Sequence, residues 1–156
     1  MVAIVLLDTN ILHVPFKFPV DIFREIPVVM EERTEIVLLS AIKKEIIEKN
    51  KRKSHKHVSK QGMAVLKLVK QKIDENKLLL VDVDKLQSES VDEHLVRVAK
   101  IFKQDPRLIL KDFDLGGMET TINVAIATND KGVKRMCRNN DIFVIHLRQK
   151  NHLELL

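Results

Sequence analysis

The unbroken apolar run Val2-Ala3-Ile4-Val5-Leu6-Leu7, stopped by Asp8, is the feature that most constrains the fold. A strand with water on one face alternates polar and apolar residues, whereas a continuous β-branched run suits a strand covered on both faces of a parallel sheet. Shorter runs recur at 36–39, 78–83, 122–127 and 142–145. Helical periodicity fills several of the intervals. A helix over 41–49 follows Ser40 as its N-cap, and Val65, Leu66, Leu68, Val69 and Ile73 recur at helical spacing. Val91, Leu95, Val98 and Phe102 mark one face of a helix from about Asp92, and Val133, Met136 and Cys137 mark another before the last strand. Strands alternating with helices imply parallel βαβ units in a layered α/β domain. The stretch 104–121, with Pro106 and the Gly116-Gly117 pair, reads as an irregular insertion.

A chain of 156 residues with 45% hydrophobic content buries a real core as one domain, 1–156, without disulfides or a structural metal. The single cysteine, Cys137, has no C-x-x-C partner, which suits a reducing compartment and speaks against structural zinc. The opening run lacks a basic leader and a cleavage site, and no stretch is long enough to span a membrane, so a soluble cytoplasmic protein is expected. The net charge of +5 is local: Lys49, Lys51, Arg52, Lys53, Lys56 and Lys60 carry it, and without them 21 basic residues face 22 acidic ones.

In an open α/β sheet, functional groups collect beyond the carboxyl ends of the strands, where strand order reverses. Asp8 follows the first strand, and Glu45 lies in the first turns of the helix after the second. Asp92 and Glu93 open the helix after the third, and Asp130 follows the fourth after Thr128 and Asn129. Taken singly, Asp8 and Asp130 read as turn formers or caps, Asp92 and Glu93 as complements to a helix dipole, and Glu45 as a solvated helix residue. Convergence of acids from four segments on one sheet edge is not explained that way. Crowded carboxylates repel unless a cation holds them, and an all-oxygen set without clustered His or Cys favours Mg2+ or Mn2+ over zinc. Such ions activate water and stabilise charge on a phosphate.

In their order along the chain, Asp8-Thr9-Asn10, Glu45 after Leu-Leu-Ser-Ala-Ile-Lys-Lys, Asp92 and Glu93 before Leu-Val-Arg-Val-Ala, and Thr128-Asn129-Asp130 resemble the motifs of the PIN-domain family. The tail Ile-Phe-Val-Ile-His-Leu-Arg resembles the archaeal branch similar to ribosomal-RNA-processing PIN proteins. The resemblance spans most of the chain. It implies a three-layer α/β/α fold around a parallel sheet and a hydrolytic endoribonuclease using one or two divalent ions. By position, Asp8, Glu45 and Asp130 would be metal ligands, with Asp92 or Glu93 completing the set and Asn10 and Thr128 orienting them. The family more often has Asp where Glu93 falls, and Glu119, in a longer interval than the family pattern has, competes for the third place. A homodimer is also implied.

The basic stretch between 49 and 60 reads either as a solvated loop or as a backbone-binding surface for RNA, giving salt-dependent affinity with little sequence information. No Trp or Tyr is present and no Phe lies in that stretch, so base stacking is poorly supported. No phosphate-cradling glycine motif follows the first strand, Ser40 lacks a nucleophile elbow, and His94 has no evident Ser or Cys partner. The expected activity is metal-dependent RNA cleavage, in RNA maturation or as the toxin of a toxin-antitoxin pair. The partners are then RNA and either an antitoxin or a pre-ribosomal particle. A catalytically weak RNA-binding scaffold in ribosome assembly is the alternative. A phospho-acceptor receiver domain is a third reading, lacking its Asp and Lys in the expected places.

Overall fold

A computed structural model describes the backbone of residues 2–52, 56–113 and 122–156, with side chains described outside 51–59. Along the chain run β1 (Val2–Leu7), α1 (Thr9–Lys17), α2 (Ile22–Met30), β2 (Arg33–Leu39), α3 (Ser40–Arg52), α4 (Lys56–Asp74) and β3 (Leu79–Val81). Then follow α5 (Val91–Gln104), a 3-10 turn (Pro106–Leu108), β4 (Ile122–Ala127), α6 (Lys131–Asn139), β5 (Phe143–Arg148) and β6 (His152–Leu155). The strands form one sheet in the order β3-β2-β1-β4-β5-β6. Five are parallel, and helices cover both faces in three α/β/α layers.

Every residue of β1 is buried, as its unbroken apolar run requires. It pairs with β2 on one side and β4 on the other, so strand order reverses between β1 and β4. A crevice opens there at the carboxyl ends. Leu95, Val98 and Phe102 of α5 are fully buried against the sheet, and sealing Phe102 alone contributes on the order of 2–3 kcal/mol. A capping box starts this helix: the Ser90 hydroxyl accepts from the Glu93 amide at 3.1 Å, while the Glu93 carboxylate accepts from the Ser90 amide at 3.3 Å.

The structure departs from the sequence reading at three places. The sheet is not wholly parallel, because β6 turns back antiparallel to β5 through Gln149 and Lys150, both at positive φ. Helices α1 and α2 occupy a stretch where Pro15 and Pro27 hide the periodicity. The basic stretch is not a loop where its backbone is described: α3 reaches Arg52 and α4 begins at Lys56. Within 104–121, Asp105 caps the 3-10 turn and pairs with Arg107 at 3.0 Å. Glu119 lies outside the described residues, as do the side chains of Lys51, Arg52, Lys53, Lys56 and the neighbouring His55 and His57. Among the described residues no helix is long and apolar enough to cross a membrane.

Candidate active site

Asp8 sits where β1 gives way to α1, and its amide donates to Ala127 O at 3.0 Å, tying it to the end of β4. The residue is 5% exposed, and its carboxylate accepts three hydrogen bonds. Oδ1 takes the Thr9 amide at 2.8 Å; Oδ2 takes the Asn10 side-chain amide at 3.1 Å and the Thr128 hydroxyl at 2.7 Å. Burial raises its pKa above the usual carboxylate value, the Thr128 and Thr9 bonds oppose that, and the charges of Glu45 and Asp130 push it further up.

The loop after β4 is tied down by similar bonds. Thr128 is fully buried, its amide donates to Ile145 O at 2.9 Å, and its hydroxyl oxygen accepts the Asp130 amide at 3.0 Å. Asn10 Oδ1 accepts the Asn129 amide at 2.9 Å, and Asn129 Oδ1 accepts the Leu147 amide at the same distance. Asp130 then caps α6 through Oδ1, which accepts the Val133 amide at 2.9 Å. On α3, Glu45 Oε1 accepts the Thr9 hydroxyl at 2.6 Å and lies 3.5 Å from the Lys49 ammonium.

The third acid brought to this site is Asp92, not Glu93. Asp8, Glu45, Asp92 and Asp130 line one cavity of about 550 Å3, while Glu93 is committed to its capping box and is not among the lining residues. Burial raises the Asp92 pKa first, and the charges of Asp8, Asp130 and Glu45 add to the rise, with Lys49 opposing. The cavity is also lined by His13 and Lys17 of α1, Lys49 and Asn50 of α3, and Gln61 and Gly62 of α4. Lys49 was expected on charge grounds, whereas Lys60 is exposed and is not a lining residue.

His13, Lys17, Asn50, Gln61 and Gly62 were missed from the sequence, and Thr9 and Asn129 were named only as parts of their motifs. Thr9, His13 and Lys17 recur every fourth residue after Asp8, a signal that is readable only once a helix through Pro15 is accepted.

As placed, no three described His, Cys, Asp or Glu side chains close around a single point. The donor chemistry nevertheless fits a hard divalent cation. Four carboxylates from four segments share one cavity, and repulsion among them disfavours their ionised forms in the absence of positive charge.

A mostly parallel α/β sheet thus gathers four carboxylates at its switch point. The chain is 32% identical over 148 residues to Ribonuclease VapC4 of Methanocaldococcus jannaschii, covering 95% of this chain and 92% of that protein. The fold matches the structure of the PIN domain endonuclease Utp24 with a TM-score of 0.67 at 14% identity, covering 97% of this chain and 90% of that one. The chain belongs to the PIN-domain family. No family model matches it.

Proposed function

We propose that this protein is a divalent-metal-dependent endoribonuclease, hydrolysing RNA phosphodiester bonds with Mg2+ or Mn2+ held by Asp8, Glu45, Asp92 and Asp130. The observation that carries this reading is that these four carboxylates, brought by four separate segments, line one cavity at the switch point of the sheet. The named activity of the VapC4 relative supports the choice of RNA. A bound divalent ion supplies Lewis acidity toward the phosphate and lowers the pKa of water.

The chain's own groups have definite tasks in this reading. The donors Thr9, Asn10 and Thr128 hold the Asp8 carboxylate in one orientation, so that ligand is fixed before an ion is loaded. Thr9 fixes Glu45 in the same way. Lys49 offers positive charge at the rim, 58% exposed, where a phosphate backbone would pass. The basic residues Lys51, Arg52, Lys53, Lys56 and Lys60 extend that charge along the sequence. A homodimer, and either an antitoxin or a pre-ribosomal particle, are the protein partners this reading admits. A short antitoxin frame beside the gene would mark a toxin, and co-purification with pre-ribosomal particles would mark RNA maturation.

The test is cleavage of an end-labelled structured RNA with Mn2+ or Mg2+ by the wild type, Asp8→Asn and Asp130→Asn. Cleavage by the wild type and its loss in both variants is the expected result. Metal-dependent cleavage surviving in either variant would overturn the site. RNA binding without cleavage under either ion would favour the scaffold reading, which the lack of convergence of three described acids on one point also motivates.

A further inference from the structure

Thr9, His13 and Lys17 follow one another at intervals of four along α1, so they share a face, and all three line the acidic cavity. That face starts at the acids, where Thr9 holds Glu45, and ends at the Lys17 ammonium. Opposite it, α3 and α4 come close at Gly62, where an added Cβ would lie 2.7 Å from Asn50 Oδ1. This close approach sets Gln61 beside α1. Its Oε1 lies 3.1 Å from His13 Nδ1.

An amide oxygen only accepts, so the proton of a neutral His13 ring sits on Nδ1 and Nε2 is left as an acceptor. Burial disfavours protonation of the ring, and the Lys17 and Lys49 charges work in the same direction against the Gln61 bond. The cavity that gathers the acids is therefore also lined by a ring whose neutral form presents Nε2 as an acceptor, with the Lys17 and Lys49 charges near it.

Near a scissile phosphodiester, the phosphate oxygens and the ring and ester oxygens of the sugar are all acceptors. The 2′-hydroxyl is the donor on the sugar, and it is what distinguishes RNA from DNA at a given site. We propose that His13 Nε2 accepts the 2′-hydroxyl of the nucleotide beside the scissile phosphate, with Lys17 on a flanking phosphate, so that His13 sets the choice of RNA over DNA. Gln61 is then a positioning residue, acting through the His13 tautomer. This rests on the nuclease reading above and adds the source of its sugar selectivity.

A matched pair of oligonucleotides, one RNA and one with every 2′-hydroxyl removed, tests it. For wild type, His13→Ala, His13→Gln and Gln61→Leu, kcat/KM is measured with Mn2+ and Kd by fluorescence anisotropy with Ca2+. His13→Ala is expected to weaken RNA binding and cleavage about tenfold, the worth of one hydrogen bond to a hydroxyl, while the deoxy substrate changes little. His13→Gln, which keeps an acceptor, restores part of the RNA preference, and Gln61→Leu loses part of it. Equal losses on both substrates, as a metal ligand or a folding defect would give, would overturn the proposal. So would an RNA preference that His13→Ala leaves intact. If the wild type cuts neither substrate yet binds RNA with a His13-dependent preference, the nuclease reading fails and this assignment stands.

Discussion

The Thr128 hydroxyl donates to Asp8 Oδ2 at 2.7 Å across 120 positions of sequence, joining the carboxyl ends of β1 and β4 through a bond buried from water. The same oxygen accepts the Asp130 amide, so one hydroxyl aligns two of the four acids. Thr128→Val keeps the shape and removes both bonds. It is expected to cost about 1–3 kcal/mol of stability, because Asp8 and the Asp130 amide lose a buried partner. Activity at limiting Mn2+ should fall about 10–100-fold, as is usual when a residue supporting metal ligands is lost. Urea unfolding and a Mn2+ titration of the cleavage rate measure the two effects.

Asp92 and Glu93 are neighbours in sequence with different tasks. Glu93→Gln keeps the capping-box acceptor and removes only a charge that complements the helix start, with an expected cost of roughly 0.3–1 kcal/mol and cleavage near wild type. Asp92→Asn should abolish cleavage and stabilise the metal-free fold. The sign follows from its pKa, held above the ordinary 3.8 by burial and by three neighbouring acids. The folded state binds the proton more tightly than the unfolded chain, so stability falls as pH rises from 3.8 through the raised folded value. Asparagine escapes that loss. Thermal melts at neutral pH in a chelator should place Asp92→Asn above wild type, and saturating Mn2+ should narrow or reverse the gap.

At the start of α5, Glu89 receives the Arg97 guanidinium at 2.6 Å and the fully buried His94 ring at 3.2 Å. The Arg97 bond is the main reason the Glu89 pKa is lowered from 4.5 to about 2. A depressed carboxylate contributes stability that is present above 4.5 and is lost as pH falls toward about 2. Glu89→Gln should therefore flatten the acid limb of the stability curve between those values. A wild-type slope there would show that the pair is not coupled to folding.

The position of Asp8 was legible because β1 announces itself: six apolar residues ending on an acid leave little room for another strand boundary. The β4 segment was legible for the same reason. The third acid was not. Asp92 and Glu93 both open a helix, and only the phase of α5, set by its Ser90 cap and by Leu95 and Phe102 reaching the core, turns one into the cavity and the other back onto its own backbone. His13 and Gln61 were hidden for a different reason. Pro15 conceals α1, and the approach of α4 to α3 depends on Gly62, whose small size signals nothing until Asn50 is seen against it.

Cys137 is fully buried under the site, and its thiol is pushed up to about 12, mainly by burial and further by the Asp8 charge. It should resist thiol reagents at neutral pH in the native state and react fully in denaturant. Its labelling rate then reports opening of α6 from the sheet. Fast native labelling would show that this layer is not closed.

The central claim is that Asp8, Glu45, Asp92 and Asp130 act together on one divalent ion site. The most direct measurement is a Mn2+ titration followed by electron paramagnetic resonance on the wild type and on the four single amide variants. Saturable Mn2+ binding by the wild type, weakened at least about tenfold in each of Asp8→Asn, Glu45→Gln, Asp92→Asn and Asp130→Asn, is the expected result. Wild-type affinity retained in any one of them would remove that residue from the site, and retention in all four would contradict the claim outright.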